Sequence, residues 1–182
     1  MLVHEVAQRY SHALFDAAQE RGLLDAGYEQ MSDLKRIVQH DRTLLSFLTA
    51  PQVLDEHKRE LIRTVFCNRL HQLYVEFLIV LVNKHRVGYL VEIIDEFIDR
   101  IETARGIGRA KVISAVPLSD KEREGLKARL AAKTGLTIRL EEKVEPAIIG
   151  GMIVHMHDEI IDGSIRHGLA LIEEELLKAK VV

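Results

Sequence analysis

The chain has 182 residues, 47% of them hydrophobic and 29% charged, with a net charge of −3. That length allows one large domain or two small ones, and the composition excludes a disordered chain because it supplies enough apolar surface for a core. A pI near 6.3 excludes non-specific nucleic-acid binding, which needs a basic surface to release counterions. The single cysteine, Cys67, excludes an internal disulfide and a cysteine-based zinc site and points to a reducing compartment.

The first residues, MLVHEVAQRYSHALF, hold no basic segment followed by an apolar one, so no signal peptide is expected. Glu5 and Asp16 come too early for an Arg- and Ser-rich transit segment. From there to about residue 105 the periodicity is helical. Val3, Val6, Tyr10, Ala13 and Ala17 recur at helical spacing, as do Leu24, Tyr28, Met31, Leu34 and Val38. Leu61, Ile62, Val65 and Phe66 continue the pattern after Pro51, with Asp55 as a candidate N-cap. Cys67 follows, between Phe66 and Asn68, and reads as a packing residue. The longest apolar run, Phe77 to Val82, is far short of the ~20 residues of a membrane helix, so the chain is expected to be soluble. Tyr89, Leu90, Ile93, Ile94, Phe97, Ile98 and Ile101 form the clearest amphipathic pattern. Six helices are predicted, over 3–21, 24–40, 42–49, 55–67, 71–84 and 88–104, and their short links imply a compact bundle.

The pattern changes at Arg105-Gly106-Ile107-Gly108. Ala110 to Val116 reads as a strand, and Ser119-Asp120-Lys121-Glu122 as a capping box opening a helix that Thr134-Gly135 closes. Leu136, Ile138 and Leu140 alternate with Thr137, Arg139 and Glu141, the period of a strand. Met152 to His157 and Ile160-Ile161 read as two short strands across an Asp158-Glu159 turn. Ile165, Leu169, Ile172 and Leu176 mark a closing helix. The expected fold class is therefore α+β: a six-helix bundle over residues 1–105, then a small α+β domain over 106–182. The first part carries 13 basic and 16 acidic residues, the second 12 of each, so neither has a strong steering field.

One enzymatic reading competes with this frame. His155 and His157 share a strand face and could address one ion, with Asp158 and His167 nearby, as in a metal-dependent hydrolase. The opposing reading makes that face the solvent side of a hairpin, with Met152, Val154 and Met156 on the core side. No further ligand has a recognisable spacing. Gly150-Gly151 fits no phosphate loop, and Arg105-Gly-Ile-Gly-Arg109 lacks the third glycine of a dinucleotide loop. The glycine pair reads as a tight strand entry or a close backbone approach. Glu173, Glu174 and Glu175 are consecutive and fan around a helix as a solvated face.

Apolar surface exceeds what one core needs. On the first helix, Val6, Ala13 and Ala17 point one way, Leu14 and Ala18 another, with Tyr10 between. The fifth helix is apolar nearly all round from Phe77 to Val82. Either both helices are central in the bundle, or they bracket a groove for a partner's amphipathic helix.

Several strings, in order and along the whole chain, resemble the δ subunit family of F-type ATP synthase, which includes the mitochondrial oligomycin-sensitivity-conferring protein. Arg9-Tyr10-Ser11-His12-Ala13-Leu14-Phe15 is similar to its RYAxALF start, and Pro51-Gln52-Val53 with Lys58 and Leu61-Ile62 to its PxVxxxxKxxLI segment. Leu81 to Arg86 resembles the end of its fifth helix, and Ser114 to Ser119 its SAxPLS turn. The fullest match is Val144-Glu145-Pro146, Ile148-Ile149-Gly150-Gly151 and Ile161-Asp162-Gly163-Ser164. The resemblance implies a stator part without catalysis or cofactor, peripheral on the cytoplasmic face of a bacterial membrane. Its bundle would bind the N-terminal helix of an α subunit between the first and fifth helices, through Tyr10, Ala13, Leu14, Ala17, Phe77, Val80 and Leu81. Its C-terminal domain would bind the C-terminal ends of the b-subunit peripheral stalk, with Gly150, Gly151, Asp162, Gly163 and Ser164 shaping that domain. Three residues depart from the pattern: Ser11 and His12 in the first helix, and His157 where Gly is common.

Overall fold

The computed structural model describes residues 2–156 and 159–179. Its contacts divide the chain into two compact units between Ile101 and Glu102. The first contains α1 (Leu2–Glu20), α2 (Leu24–His40), α3 (Thr43–Thr49), α4 (Asp55–Phe66), α5 (Gln72–Asn83) and most of α6 (Leu90–Ala104), with a single 3-10 turn at Val87–Tyr89. These six helices fall within a few residues of their predicted spans. Asp55 is the first residue of α4, with Leu54 in the cap position, and its carboxylate is 3.7 Å from the buried Lys58 ammonium. Cys67, expected in packing, is exposed, because α4 ends at Phe66 and turns its apolar face away from it.

Each helix buries one stripe. Gly27, Met31, Leu34 and Val38 of α2 and Ile93, Ile94, Phe97 and Ile101 of α6 enter one core with Ile62, Phe66, Leu78 and Leu81. At its centre the Tyr74 hydroxyl donates to Leu23 O at 2.7 Å. The Tyr74 ring meets Phe97 edge-on, with centroids 6.2 Å apart. A Cβ on Gly27 would come 2.2 Å from the Tyr74 hydroxyl, so glycine there makes room for the ring.

The second unit contains β1 (Ile107–Ser114), α7 (Asp120–Thr134), β2 (Thr137–Val144), β3 (Met152–Met156), β4 (Glu159–Asp162) and α8 (Ile165–Ala179). The strands lie in the order β2-β1-β3-β4, with β1 and β2 parallel and the other pairs antiparallel. β1 starts three residues before its predicted first residue and ends two before its predicted last. Gly106, at φ 77, makes the left-handed turn that lets the strand begin at once. Glu159, expected in a turn, is already strand. One face of the sheet carries Ala110, Val112, Ile138, Val154 and Met156 against Leu130 of α7. The capping box that opens α7 is present, with Ser119 and Glu122 exchanging bonds, and Gly135 closes the helix at φ 72.

Candidate partner-binding surfaces

An α-helix turns ~100° per residue, so α1 has to choose which of two neighbouring stripes faces the core. Ala7, Ser11, Leu14 and Ala18 go inward. Val3 and Ala13 are exposed, while Val6, Tyr10 and Ala17 are half-buried, which leaves a second apolar stripe along the outside. Ser11, one of the departures from the family pattern, is fully buried. Its hydroxyl donates to Gln8 O at 3.0 Å and accepts from Arg100 Nε at 3.3 Å. His12 is exposed beside Asp16, at 3.2 Å.

On α5, Phe77 is half-buried and Val80 is 44% exposed, both beside the inward-facing Leu78 and Leu81. α1 and α5 each pack against the turn at Val87–Tyr89. Tyr10, Ala13, Ala17, Phe77 and Val80 therefore present surface to solvent. Leu14, 2% exposed, and Leu81, fully enclosed, do not. The helical register of each places it in the core, where it backs the surface without lining it.

The second site joins the ends of the longest family string. Gly151 has φ 76, and a Cβ there would fall 2.2 Å from Gly163 O. The two glycine backbones thus lie against each other, and the Gly163 N–H donates to Met152 O at 3.0 Å. The Ile165 N–H donates to Gly150 O at 3.0 Å, which ties the start of α8 to the same turn. Ser164 caps α8, its hydroxyl accepting from the His167 N–H at 3.1 Å. Asp162 accepts from the Ser164 N–H at 2.9 Å. The Ser164 hydroxyl, then its N–H, hold the Asp162 carboxyl below its ordinary value, with smaller help from His167 and His155 against a burial cost. Gly150, Gly151, Asp162, Gly163 and Ser164 are therefore one backbone junction. Beyond it α8 leaves Ile165, Leu169 and Ile172 exposed.

His155 sits on β3 across from Lys111 and Ile160, on the sheet face away from the second core. His157 and Asp158 lie outside the described residues. Among the described residues no three His, Cys, Asp or Glu gather as a metal site. Among the described residues the metal-hydrolase expectation finds no ligand set, and the cross-strand neighbours of His155 are a cation and an aliphatic side chain.

Two residues stand out whose structural setting the sequence patterns do not show. Glu102, on the last turn of α6, is 1% exposed. Its carboxylate accepts from Arg109 Nε and Nη2 at 3.1 and 2.7 Å and from Arg139 Nη1 at 2.9 Å. Its signal is a charge four residues after Ile98 on the apolar stripe of α6. Ile149 has φ 70, a conformation that a β-branched side chain rarely adopts.

A family model described as ATP synthase delta (OSCP) subunit matches residues 6–176. The chain is 34% identical over 180 residues to ATP synthase subunit delta of Symbiobacterium thermophilum, covering 99% of this chain and 97% of the relative. It is 36% identical over 181 residues to the subunit of the same name from Halothermothrix orenii, covering 100% of this chain and 95% of the relative. A chain in the cryo-EM structure of Toxoplasma gondii mitochondrial ATP synthase hexamer shares the fold, with a TM-score of 0.72 at 20% identity over 94% of this chain and 97% of that one.

Proposed function

This chain belongs to the ATP synthase delta (OSCP) subunit family, and from that premise we propose how its two units divide the work. The protein is a non-catalytic stator component of F-type ATP synthase. Torque from the rotor would spin the catalytic head unless the head is tied to a stationary stalk. The first unit takes the N-terminal helix of an α subunit on the outer stripe of α1, Tyr10, Ala13 and Ala17, together with Phe77 and Val80 of α5. The second unit takes the C-terminal ends of the b-subunit stalk. Among the described residues no helix is long and apolar enough to cross a membrane. The complex supplies the membrane association, on the cytoplasmic face of a bacterial membrane in this reading.

The observation that carries the head contact is the unused apolar stripe on α1. Ala13 and Ala17 keep it low, which lets another helix approach closely, and Tyr10 and Phe77 supply aromatic anchors of the kind that dominate interfaces. Calorimetric titration with a peptide of the α-subunit N-terminus tests it. Ala13→Asp places a carboxylate where the partner would desolvate it, so binding should fall by about tenfold or more. Ala13 is exposed, so the bundle should stay folded at about 0.5 kcal/mol of helix propensity. Undiminished binding by Ala13→Asp would remove α1 from the contact.

A further inference from the structure

We infer that Ser11 and Arg100 are a positioning pair: their bond between α1 and α6 fixes the roll of α1 and so keeps its more apolar stripe outside, where the α-subunit helix docks. The inference rests on the stator reading above and adds to it the residues that hold the docking face open.

α1 carries one spacing twice. Val3, Val6, Tyr10, Ala13 and Ala17 follow one another at steps of three, four, three and four, and His4, Ala7, Ser11, Leu14 and Ala18 repeat those steps one residue later. Either set makes a seam that another helix can pack on. The two lie ~100° apart, so a single roll of the helix exchanges them.

The stripes are not equally apolar. In their first three places the outer one has valine, valine and tyrosine where the inner one has histidine, alanine and serine. Only in the fourth place is the inner group the larger apolar one, Leu14 against Ala13. Yet the inner stripe is the buried one. Ala7, Ser11, Leu14 and Ala18 are each no more than 2% exposed, while Val3 is 43% exposed. Val6 and Tyr10 are only half-buried. Stabilisation grows with the apolar area removed from water, so burial at these places favours the opposite roll.

Polar contacts oppose that preference. The Ser11 hydroxyl is fully buried and needs partners. It donates to Gln8 O at 3.0 Å, a bond inside α1 that survives any roll. It accepts from Arg100 Nε at 3.3 Å, and that bond exists in one roll alone. The charged donor makes it stronger than a neutral bond. His4 Nδ1 lies 3.5 Å from a Glu96 carboxylate oxygen, a second polar contact between the same two helices. The family pattern has alanine where Ser11 stands, so the Arg100 bond is this chain's own. Rolled by one stripe, α1 would bury its valines, break that bond and withdraw Tyr10 and Ala13 from the partner.

The test uses the full chain and a peptide of the α-subunit N-terminus from the same ATP synthase. Titration calorimetry reads binding, and relaxation of the alanine methyl signals by a soluble paramagnetic agent reads the roll. Ser11→Ala and Arg100→Ala each remove the bond between the helices. Both should keep helicity and an equal or higher Tm, because newly buried valines replace the bond. In both, the Ala7 methyl should relax faster than in the wild type and the Ala13 methyl more slowly. Peptide binding should weaken about fivefold or more, since only chains with the outer stripe exposed bind. The two changes together should cost no more than either alone. Val6→Ser makes the outer stripe less apolar. Added to Ser11→Ala it should raise binding about twofold or more, whereas in the wild-type chain it should not raise it. A merely structural role for Ser11 gives no such reversal.

Peptide binding by the wild type, with both single variants within about twofold of it, overturns the pair and leaves the stator reading standing. Wild-type chain that binds no peptide overturns both. Weaker binding without the exchange in methyl exposure, or without rescue by Val6→Ser, makes Ser11 a local packing residue and overturns the roll. Loss of helicity in both single variants makes the pair a folding element and overturns the inference.

Discussion

Two glycines in the second unit show how much one missing Cβ can decide. Gly151 combines φ 76 with a would-be Cβ only 2.2 Å from Gly163 O. Neither backbone can retreat easily, because the Gly163 N–H is bonded to Met152 O at 3.0 Å. Gly163 itself would place its Cβ 3.3 Å from Met152 O, a contact that a few tenths of an ångström relieves. Gly151→Ala should therefore cost about 3 kcal/mol or more of unfolding free energy, from strain and lost junction bonds together. Gly163→Ala should cost about 1 kcal/mol or less. Urea unfolding of the two variants gives the comparison. Equal losses would mean that close approach is not what selects glycine at residue 151.

At the scale of elements, the start of α8 is held by a few polar groups. The Ser164 hydroxyl and N–H hold Asp162 below its ordinary value of 3.8. A carboxyl held low in the fold contributes stability that is complete above its unfolded value and is lost as pH falls through the folded one. Amide exchange at Ser164 to Gly168 should thus stay slow down to about pH 4 and quicken below it. Asp162→Asn removes the titration, and its exchange should show no acid-side step beyond the intrinsic one; a step that persists would assign it to another group. The helices are legible in the amino-acid sequence because their apolar residues repeat every three or four positions. The outward face of α1 is not, since alanine suits a core or an exposed stripe and both stripes contain it. Gly106 and Gly108 hide the first three residues of β1, because glycines in that density suggest a loop. The parallel pairing of β1 with β2 is marked only by the order strand, helix, strand, since α7 supplies the crossover that parallel neighbours need. The junction glycines are legible as a close approach, whereas Ile149 is not, because its conformation contradicts its own propensity.

On the scale of the whole molecule, the chain holds two cores, and the division falls inside α6. Glu102, just past that division, belongs to the second unit although it sits on a helix whose apolar residues serve the first. A carboxylate 1% exposed must have its charge matched, and Arg109 and Arg139 do so from β1 and β2. Arg109 also lies 3.2 Å from Glu141, so it keeps one partner if Glu102 is lost. Glu102→Gln exchanges charge-assisted hydrogen bonds to Arg109 and Arg139 for weaker neutral ones and should lower the stability of the second unit by about 2 kcal/mol. Arg139→Gln should cost under about 1 kcal/mol, since that side chain is more than half exposed. Native-state hydrogen exchange reads the two units separately: amides of β1 and β3 should lose protection in Glu102→Gln, and amides of α2 and α5 should not. Equal loss in α2 and α5 would show that the two cores unfold as one, and unchanged β1 amides would show that the clamp carries no net stability.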